Sequence, residues 1–198
     1  FDLTVLYGAP VEAGRQWAPP PQQPYPAIFL QPRAMFSYRR RRRFGEKGVI
    51  LYPQGLMPAL SRIRPESVVG YEFRPECMVA CLYAALRGCS YVTWSDVTAA
   101  HDARMGRLRW LIRRLMLSRS DALIGSSSAT LAHFQQKFRF PAQRSSQSIL
   151  SAQVDDCRQA AAATATDNIL PRSSCRLIYA GRLSELKGVD LLINAFSR

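Results

Sequence analysis

The chain has 198 residues, and its 27 Lys or Arg against 14 Asp or Glu give a formal net charge of +13 at pH 7. Apolar residues make up 47% of the chain, too many for a disordered protein. No run reaches the roughly 18 uninterrupted apolar residues of a transmembrane helix. The sequence therefore predicts a globular protein, with length for one domain and part of another.

The basic excess is carried almost wholly by arginine, since lysine occurs only at Lys47, Lys137 and Lys187. Arginine in this proportion suits phosphate binding or an anionic membrane face, and it also follows from a GC-rich genome. These three origins stay open at this point.

The cysteines and the chain ends indicate the compartment. Five cysteines without CxxC pairs, and only two histidines, predict no metal site and suit a reducing cytoplasm. Residue 1 is Phe, and no signal or transit segment precedes the first strand-like stretch. We therefore expect a cytoplasmic protein, and a fragment truncated at both ends.

The first part of the chain predicts one strand and a long excursion. Residues 1–8 are rich in β-formers, and residues 9–47 predict a loop rich in Pro and Arg, because proline removes donors and fixes φ. The loop ends near five consecutive arginines, residues 39–43. Such a run repels itself, so it must be solvated or paired with anions.

From residue 48 onward, helical and strand patterns alternate. We predict helices at 55–63, 76–87, 104–119 and 128–138, and strands at 67–71, 91–94, 121–125 and 147–150. Strand 67–71 lacks polar alternation, which predicts burial on both faces. The alternation predicts an α/β fold with a parallel sheet of the Rossmann type.

Helix 104–119 predicts two apolar facets when projected at 100° per residue. Its core-facing stripe comprises Leu108, Leu111, Ile112 and Leu115. Trp110 and Leu117 fall on the far side among arginines, as in a helix that lies on a membrane surface, although packing on a neighbouring loop is the alternative.

A second domain is predicted to begin near the end of the chain. Residues 158–175 predict an interdomain linker, and residues 176–198 a strand, a loop and a helix. The strand ends at Gly181, with Arg182 and Lys187 in the loop that leads to the helix. This pattern favours a phosphate site, because a glycine that lets a ligand approach the backbone, two cations and a helix N-terminus lie together. A solvated loop is the alternative.

The segment 177–188 resembles the strand, GRL, three-residue spacer and KG motif of glycosyltransferase family 4, retaining enzymes of the GT-B fold. Segments 60–73, 89–96, 118–134 and 148–156 are similar to successive parts of that family's acceptor domain, so the resemblance covers residues 48–198. It implies an acceptor-side Rossmann-like domain at 1–157, lacking its first strand, followed by the first β-loop-α unit of a nucleotide-sugar-binding domain.

The resemblance also implies the chemistry. Gly181, Arg182 and Lys187 match positions that bind the diphosphate of a nucleotide-sugar donor, so neither a metal nor another cofactor is required. The family grips the donor with two glutamates separated by seven residues, further along than Arg198. We therefore expect a hexosyltransferase that acts on a glycan, lipid-linked or small-molecule acceptor, and no transferase activity from these 198 residues alone.

On the acceptor side, many family members carry a histidine in the loop after the strand that matches 91–94. Here the run is Trp94-Ser95-Asp96, which makes Asp96 the first catalytic candidate and His101 the second. A turn or capping role is the alternative for Asp96, and an exposed loop position is the alternative for His101.

Three other classes of protein could explain parts of this sequence. A nucleic-acid-binding module would explain the charge, but no helix-turn-helix, zinc finger or aromatic RNA-binding motif is present. A glycosidase could cite Glu72 and Glu76, which lie too close in sequence to define a separation across a sugar. Binding to an anionic membrane surface, at the inner face of the plasma membrane, stays open with or without catalysis.

Overall fold

The computed structural model of the chain describes residues 2–8, 25–31, 33–39, 47–52, 54–103, 105–149 and 188–196. The chain divides into two compact units, Phe1–Ser37 with Val49–Leu150, and Tyr38–Gly48 with Ser151–Arg198. The predicted linker 158–175 and the predicted strand 176–180 lie outside the described residues.

The elements follow the predicted alternation. The strands are β1 Val5–Tyr7, β2 Ala27–Phe29, β3 Arg33–Arg39, β4 Lys47–Tyr52, β5 Ser67–Tyr71, β6 Ser90–Ser95, β7 Ala122–Gly125 and β8 Ser145–Gln147. The helices are α1 Leu56–Ile63, α2 Pro75–Arg87, α3 Ala99–Asp102, α4 Arg107–Arg119, α5 Ser128–Phe138 and α6 Val189–Phe196.

The main sheet has four strands in the order β5-β6-β7-β8, and every neighbouring pair is parallel. β1 and β2 form a separate two-stranded parallel sheet. The prediction of an α/β fold with a parallel sheet is confirmed at this level.

Two of the helix ends show why the sequence predicts them well. Gly88 ends α2 in the left-handed conformation at φ 69°, which glycine adopts without a Cβ clash. The side chain of Ser127 caps α5, because its Oγ accepts a hydrogen bond from the backbone N–H of Thr130 at 3.1 Å.

Only one face of the main sheet is covered by the described helices. α2, α4 and α5 contribute to core clusters on the face that carries Tyr91 and Leu123. On the opposite face of β5, Val69 is 55% exposed and Tyr71 is 38% exposed. The prediction that strand 67–71 is buried on both faces is therefore wrong, because β5 is an edge strand with helices on one side.

The predicted 9–47 loop contains strands, so that prediction is wrong in part. β2 pairs with β1, and β3 pairs with β4. Pro26 does not interrupt β2, because it precedes the strand and its carbonyl oxygen accepts a hydrogen bond from Val5 N–H at 2.9 Å. Arg39 closes β3, and residues 40–43 lie outside the described residues.

The arginine-rich helix α4 faces the opposite way from the prediction. Its buried residues are Arg113, Met116 and Leu117. Three of the four leucines and isoleucines of the predicted core stripe are more than half exposed, namely Leu108 at 72%, Leu111 at 56% and Leu115 at 62%. The predicted core stripe therefore lies mostly at the surface, and Leu117, expected on the outside, lies in the core.

Two element boundaries also differ from the prediction. α4 begins at Arg107 rather than at residue 104, because Ala99–Asp102 forms a separate short helix. β8 is Ser145–Gln147 rather than 147–150, and its polar sequence carries no apolar pattern. Within the described ranges, no helix is both long enough and apolar enough to cross a membrane.

Candidate functional site

Four polar side chains meet where β5 and β6 end. Tyr71 closes β5 and Glu72 follows it, while Ser95 closes β6 and Asp96 follows it. The two strands are parallel and in register, with Tyr71 opposite Trp94, so both ends lie at the same edge of the sheet. Ligands of open α/β folds bind beyond this edge. We call these four residues the carboxyl-edge cluster.

Hydrogen bonds join the cluster across the two strands. Oε1 of Glu72 accepts from Ser95 Oγ and from the backbone N–H of Asp96, both at 2.9 Å. The hydroxyl of Tyr71 donates to Oδ2 of Asp96 at 3.1 Å. Asp96 is itself exposed, so its carboxylate is fixed at one oxygen and still reachable from solvent.

The backbone at Glu72 is held in an uncommon conformation. Its φ is 68°, in the left-handed region that costs a non-glycine residue about 1–2 kcal/mol. Its N–H donates to the carbonyl oxygen of Trp94 at 2.8 Å, which continues the pairing with β6 by one residue. The turn after β5 therefore starts with Glu72 tied to the neighbouring strand by both its backbone and its side chain.

The electrostatics of the cluster favour protonated groups. Burial raises the pKa of the Glu72 carboxyl, and the nearby charge of Asp96 adds to the rise, although hydrogen bonds from Asp96 and Ser95 oppose it. Burial, together with the charge of Asp96, raises the pKa of Tyr71 to about 12. Tyr71 is therefore a neutral donor to Asp96 at physiological pH.

An unsatisfied donor lies next to the cluster. Nε1 of Trp94 is buried and has no hydrogen-bond partner among the described residues. The Trp94 ring packs edge-on against Tyr71, with 5.7 Å between the ring centroids. A buried polar atom without a partner is rare in folded proteins and is a feature of functional or strained sites.

The third strand is tied to the same edge by a serine. Ser126 follows β7, and both its N–H at 2.9 Å and its Oγ at 3.2 Å donate to the carbonyl oxygen of Ser95. Ser126 therefore fixes the backbone of β6 at the point where Ser95 and Asp96 enter the cluster.

The two catalytic candidates have different environments. The structure brings Asp96 into the carboxyl-edge cluster. His101 lies exposed on α3, and its Nδ1 is 3.2 Å from Oγ1 of Thr98. No contact in the described part of the chain joins His101 to Asp96.

The donor-binding candidates Gly181, Arg182 and Lys187 lie outside the described residues. Immediately after them, Gly188 adopts φ 63° and its carbonyl oxygen accepts from Leu192 N–H at 3.0 Å. α6 then begins at Val189, so the predicted helix after the KG pair is confirmed.

A buried charged group lies behind the cluster and is absent from the sequence prediction. Oδ2 of Asp102 on α3 accepts from Nη1 of Arg113 on α4 and from Nε2 of His133 on α5, the latter at 2.8 Å. All three residues are buried, with Asp102 3% exposed. The Arg113 guanidinium also lies over the ring of Phe73, at 4.9 Å.

The residues without a predicted role in this region differ in how well the sequence predicts their position. Tyr71 ends a predicted strand and Glu72, named above only as a glycosidase carboxylate, follows it, so the rule that ligands bind beyond the carboxyl ends of parallel strands points to both. Asp102, Arg113 and His133 lie on three separate helices, and no spacing along the sequence relates them.

Over the described ranges, no group of three or more His, Cys, Asp or Glu is placed to hold a metal ion. Comparison with models of known protein families and with curated proteins finds no match to this chain.

Proposed function

We propose that this chain contributes the acceptor side, and the start of the donor side, of a retaining glycosyltransferase of the GT-B type. The enzyme moves a sugar from a nucleotide-diphosphate-sugar donor to a glycan, lipid-linked or small-molecule acceptor. The observation that carries the proposal is the carboxyl-edge cluster, which lies at the ligand-binding edge of a parallel α/β sheet.

The cluster has the chemistry to bind an acceptor hydroxyl. Asp96 presents an exposed carboxylate that accepts hydrogen bonds, and Tyr71 and the Glu72 turn fix its position. A carboxylate held in this way orients a sugar hydroxyl and accepts its proton as the new glycosidic bond forms. In this role Asp96 is the catalytic residue, and Glu72 is a positioning residue.

The donor side of the proposal rests on the sequence. Arg182 and Lys187 bind the diphosphate, and Gly181 lets the backbone approach it, as the resemblance to glycosyltransferase family 4 implies. Two fixed cations stabilise the charge that develops on the departing nucleoside diphosphate. His101, whose Nδ1 lies 3.2 Å from Oγ1 of Thr98, has no assigned step.

The test is release of nucleoside diphosphate from a panel of nucleotide sugars, with lipid-linked and soluble glycans as acceptors. The protein assayed is the whole product of the reading frame. We expect turnover with one donor class, and a loss of about 100-fold or more in kcat for Asp96→Asn. Arg182→Ala and Lys187→Ala should chiefly raise the KM for the donor.

The matched control is Glu66→Gln, which removes an exposed carboxylate just before β5, at the opposite edge of the sheet. It should leave turnover unchanged. Absence of turnover with every donor, or an Asp96→Asn enzyme as active as wild type, would contradict the proposed function.

A further inference from the structure

Helix α4 exposes a row of leucines that the fold leaves uncovered. Leu108, Leu111 and Leu115 are spaced three and four residues apart, so they share one side of the helix. Each of them is more than half exposed. The opposite side of α4 is already anchored, because Met116 and Leu117 lie in the core clusters.

Three arginines flank this exposed side, since Arg107, Arg114 and Arg119 lie within about 90° of the leucine row, whereas Arg109 lies on the side of Met116. Four exposed arginines lie on α4, namely Arg107, Arg109, Arg114 and Arg119. The helix contains no Asp or Glu, and within the described part of the chain none of these four arginines forms a salt bridge. Arg114 lies over the ring of Trp110 at 5.2 Å. An exposed apolar row between unpaired cations matches the chemistry of an anionic lipid surface.

The neighbouring helix α2 also has exposed leucines and an exposed arginine. α2 packs against α4 and leaves Leu82 at 55% and Leu86 at 69% exposed. Arg87 follows them at the end of α2 and is exposed.

The charge pattern disfavours a second copy of this chain as the partner. In a two-fold symmetric contact, the same surface meets itself, so the arginines of one α4 would face those of the other. Like charges brought together in this way repel, and α4 supplies no acid to compensate them. A surface of phosphate headgroups compensates all of them at once.

From this arrangement we propose that α4 is a docking surface for an anionic lipid bilayer. The helix lies along the bilayer, with Leu108, Leu111 and Leu115 at the boundary between headgroups and acyl chains. The flanking arginines bind headgroup phosphates. This surface differs from the Trp110 and Leu117 facet that the sequence predicts, and the proposal does not depend on the proposed function.

The test is flotation of the 198-residue chain with vesicles of phosphatidylglycerol mixed with phosphatidylcholine. We expect binding at about 0.1 M salt and much weaker binding at about 1 M salt, where the Debye length falls to about 3 Å. Vesicles of phosphatidylcholine alone should bind at least about tenfold less of the protein. Equal binding to both kinds of vesicle, or to neither, would overturn the proposal.

Two sets of variants separate the apolar and charged contributions. Leu108→Gln, Leu111→Gln and Leu115→Gln combined should reduce binding by about tenfold or more. Arg107→Gln, Arg114→Gln and Arg119→Gln combined should remove the dependence on salt. Ile149→Gln is the matched control, since Ile149 is 74% exposed and follows β8 rather than belonging to α4, and it should bind as wild type does. Wild-type binding by the leucine variant would overturn the proposal.

A second measurement does not depend on how well the leucine variant folds. In Leu111→Trp, vesicles that carry brominated acyl chains should quench the new fluorescence, whereas in Ile149→Trp they should not. Equal quenching of the two positions contradicts the assignment to α4. So does a dimer, seen by ultracentrifugation without lipid, that the leucine substitutions dissociate.

Discussion

At the scale of single residues, Glu72 holds an acidic side chain where burial opposes its charge. Two donors from β6 fix its Oε1, and its backbone keeps a left-handed φ. The Glu72 side chain therefore holds Ser95 and Asp96 in position, while burial makes its own carboxyl harder to ionise.

This raised pKa gives a pH dependence with a definite sign. A carboxyl whose folded pKa lies above its unfolded value, about 4.3 for Glu, stabilises the fold below that value. The contribution is lost as pH rises through the folded pKa of Glu72. Relative to Glu72→Gln, whose amide oxygen keeps the acceptor role, the wild-type free energy of unfolding should fall as pH rises from about 4 to 8.

Urea unfolding of both proteins across this range measures the difference. A difference that does not change with pH would exclude the raised pKa. Glu66→Gln serves again as the reference, because the Glu66 side chain is exposed.

Asp102 is the residue whose loss should destabilise the fold most. Arg113 and His133 are both buried, and both donate to one oxygen of Asp102. Asp102→Ala leaves a buried guanidinium without its counter-charge, which costs about 3–5 kcal/mol when a buried pair loses one partner.

Chemical denaturation measures this loss, and the exposed Glu66→Ala is the comparison. A loss for Asp102→Ala of less than about 1 kcal/mol would mean that Arg113 finds water or another acceptor. Because Asp102 is also the last residue of the helix after the Asp96 turn, destabilisation and altered acceptor binding should accompany each other.

At the scale of elements, β5 and β6 come together around a glycine. A Cβ at Gly70 would collide with the Tyr91 side chain, which is 1% exposed and donates its hydroxyl to the Cys77 carbonyl oxygen at 3.1 Å. Gly70 does not have a positive φ, so its role is steric rather than conformational.

Gly70→Ala should therefore destabilise the protein by about 1–3 kcal/mol through overpacking. Gly106→Ala is the matched control, because a Cβ there meets nothing within 4 Å and φ is −71°. Thermal unfolding of the two variants provides the comparison. Equal stability of both variants would show that Tyr91 moves aside without loss.

The helix α4 shows where prediction from sequence stops. Periodicity fixes the angular positions of its side chains, so it identified the leucine row correctly as one face. It does not decide which face turns inward. The inward face carries Arg113, Met116 and Leu117, and the bond between Arg113 and Asp102 joins two helices, which periodicity along one helix does not predict.

At the scale of the whole molecule, the sheet register assembles the candidate site. The family resemblance, together with its position after strand 91–94, made Asp96 a candidate. Glu72 and Glu76 were rejected as a glycosidase pair, and the structure instead joins Glu72 to the backbone N–H of Asp96, across the ends of β5 and β6. The fold class and most elements were predictable because they depend on local pattern, whereas this pairing depends on register.

The buried thiols should report on opening of the whole core. Cys77 and Cys81 are each 6% exposed, and burial raises the pKa of both, that of Cys77 to about 12. Because the thiolate is the reactive form, iodoacetamide at about pH 8 should modify the half-buried Cys89 before Cys77 and Cys81. Cys77 and Cys81 should react only as urea unfolds the chain.

Peptide mass spectrometry after timed alkylation distinguishes the three cysteines that the structure describes from Cys157 and Cys175, which lie outside the described residues. Native-state alkylation of Cys77 as fast as that of Cys89 would contradict the burial of α2. In Cys89→Ser, the rates at Cys77 and Cys81 should be unchanged.

The shared oxygen of Asp102 has a consequence for cooperativity. α3, α4 and α5 are successive segments, and one carboxylate oxygen is bonded to a donor from each of the two longer helices. Opening either of these helices removes one of the two donors from the buried carboxylate of Asp102, so the energetic penalty of a local fluctuation is shared by all three helices. We therefore expect the three helices to open and close as one folding unit, and this unit to restrain the Asp96 turn that precedes them.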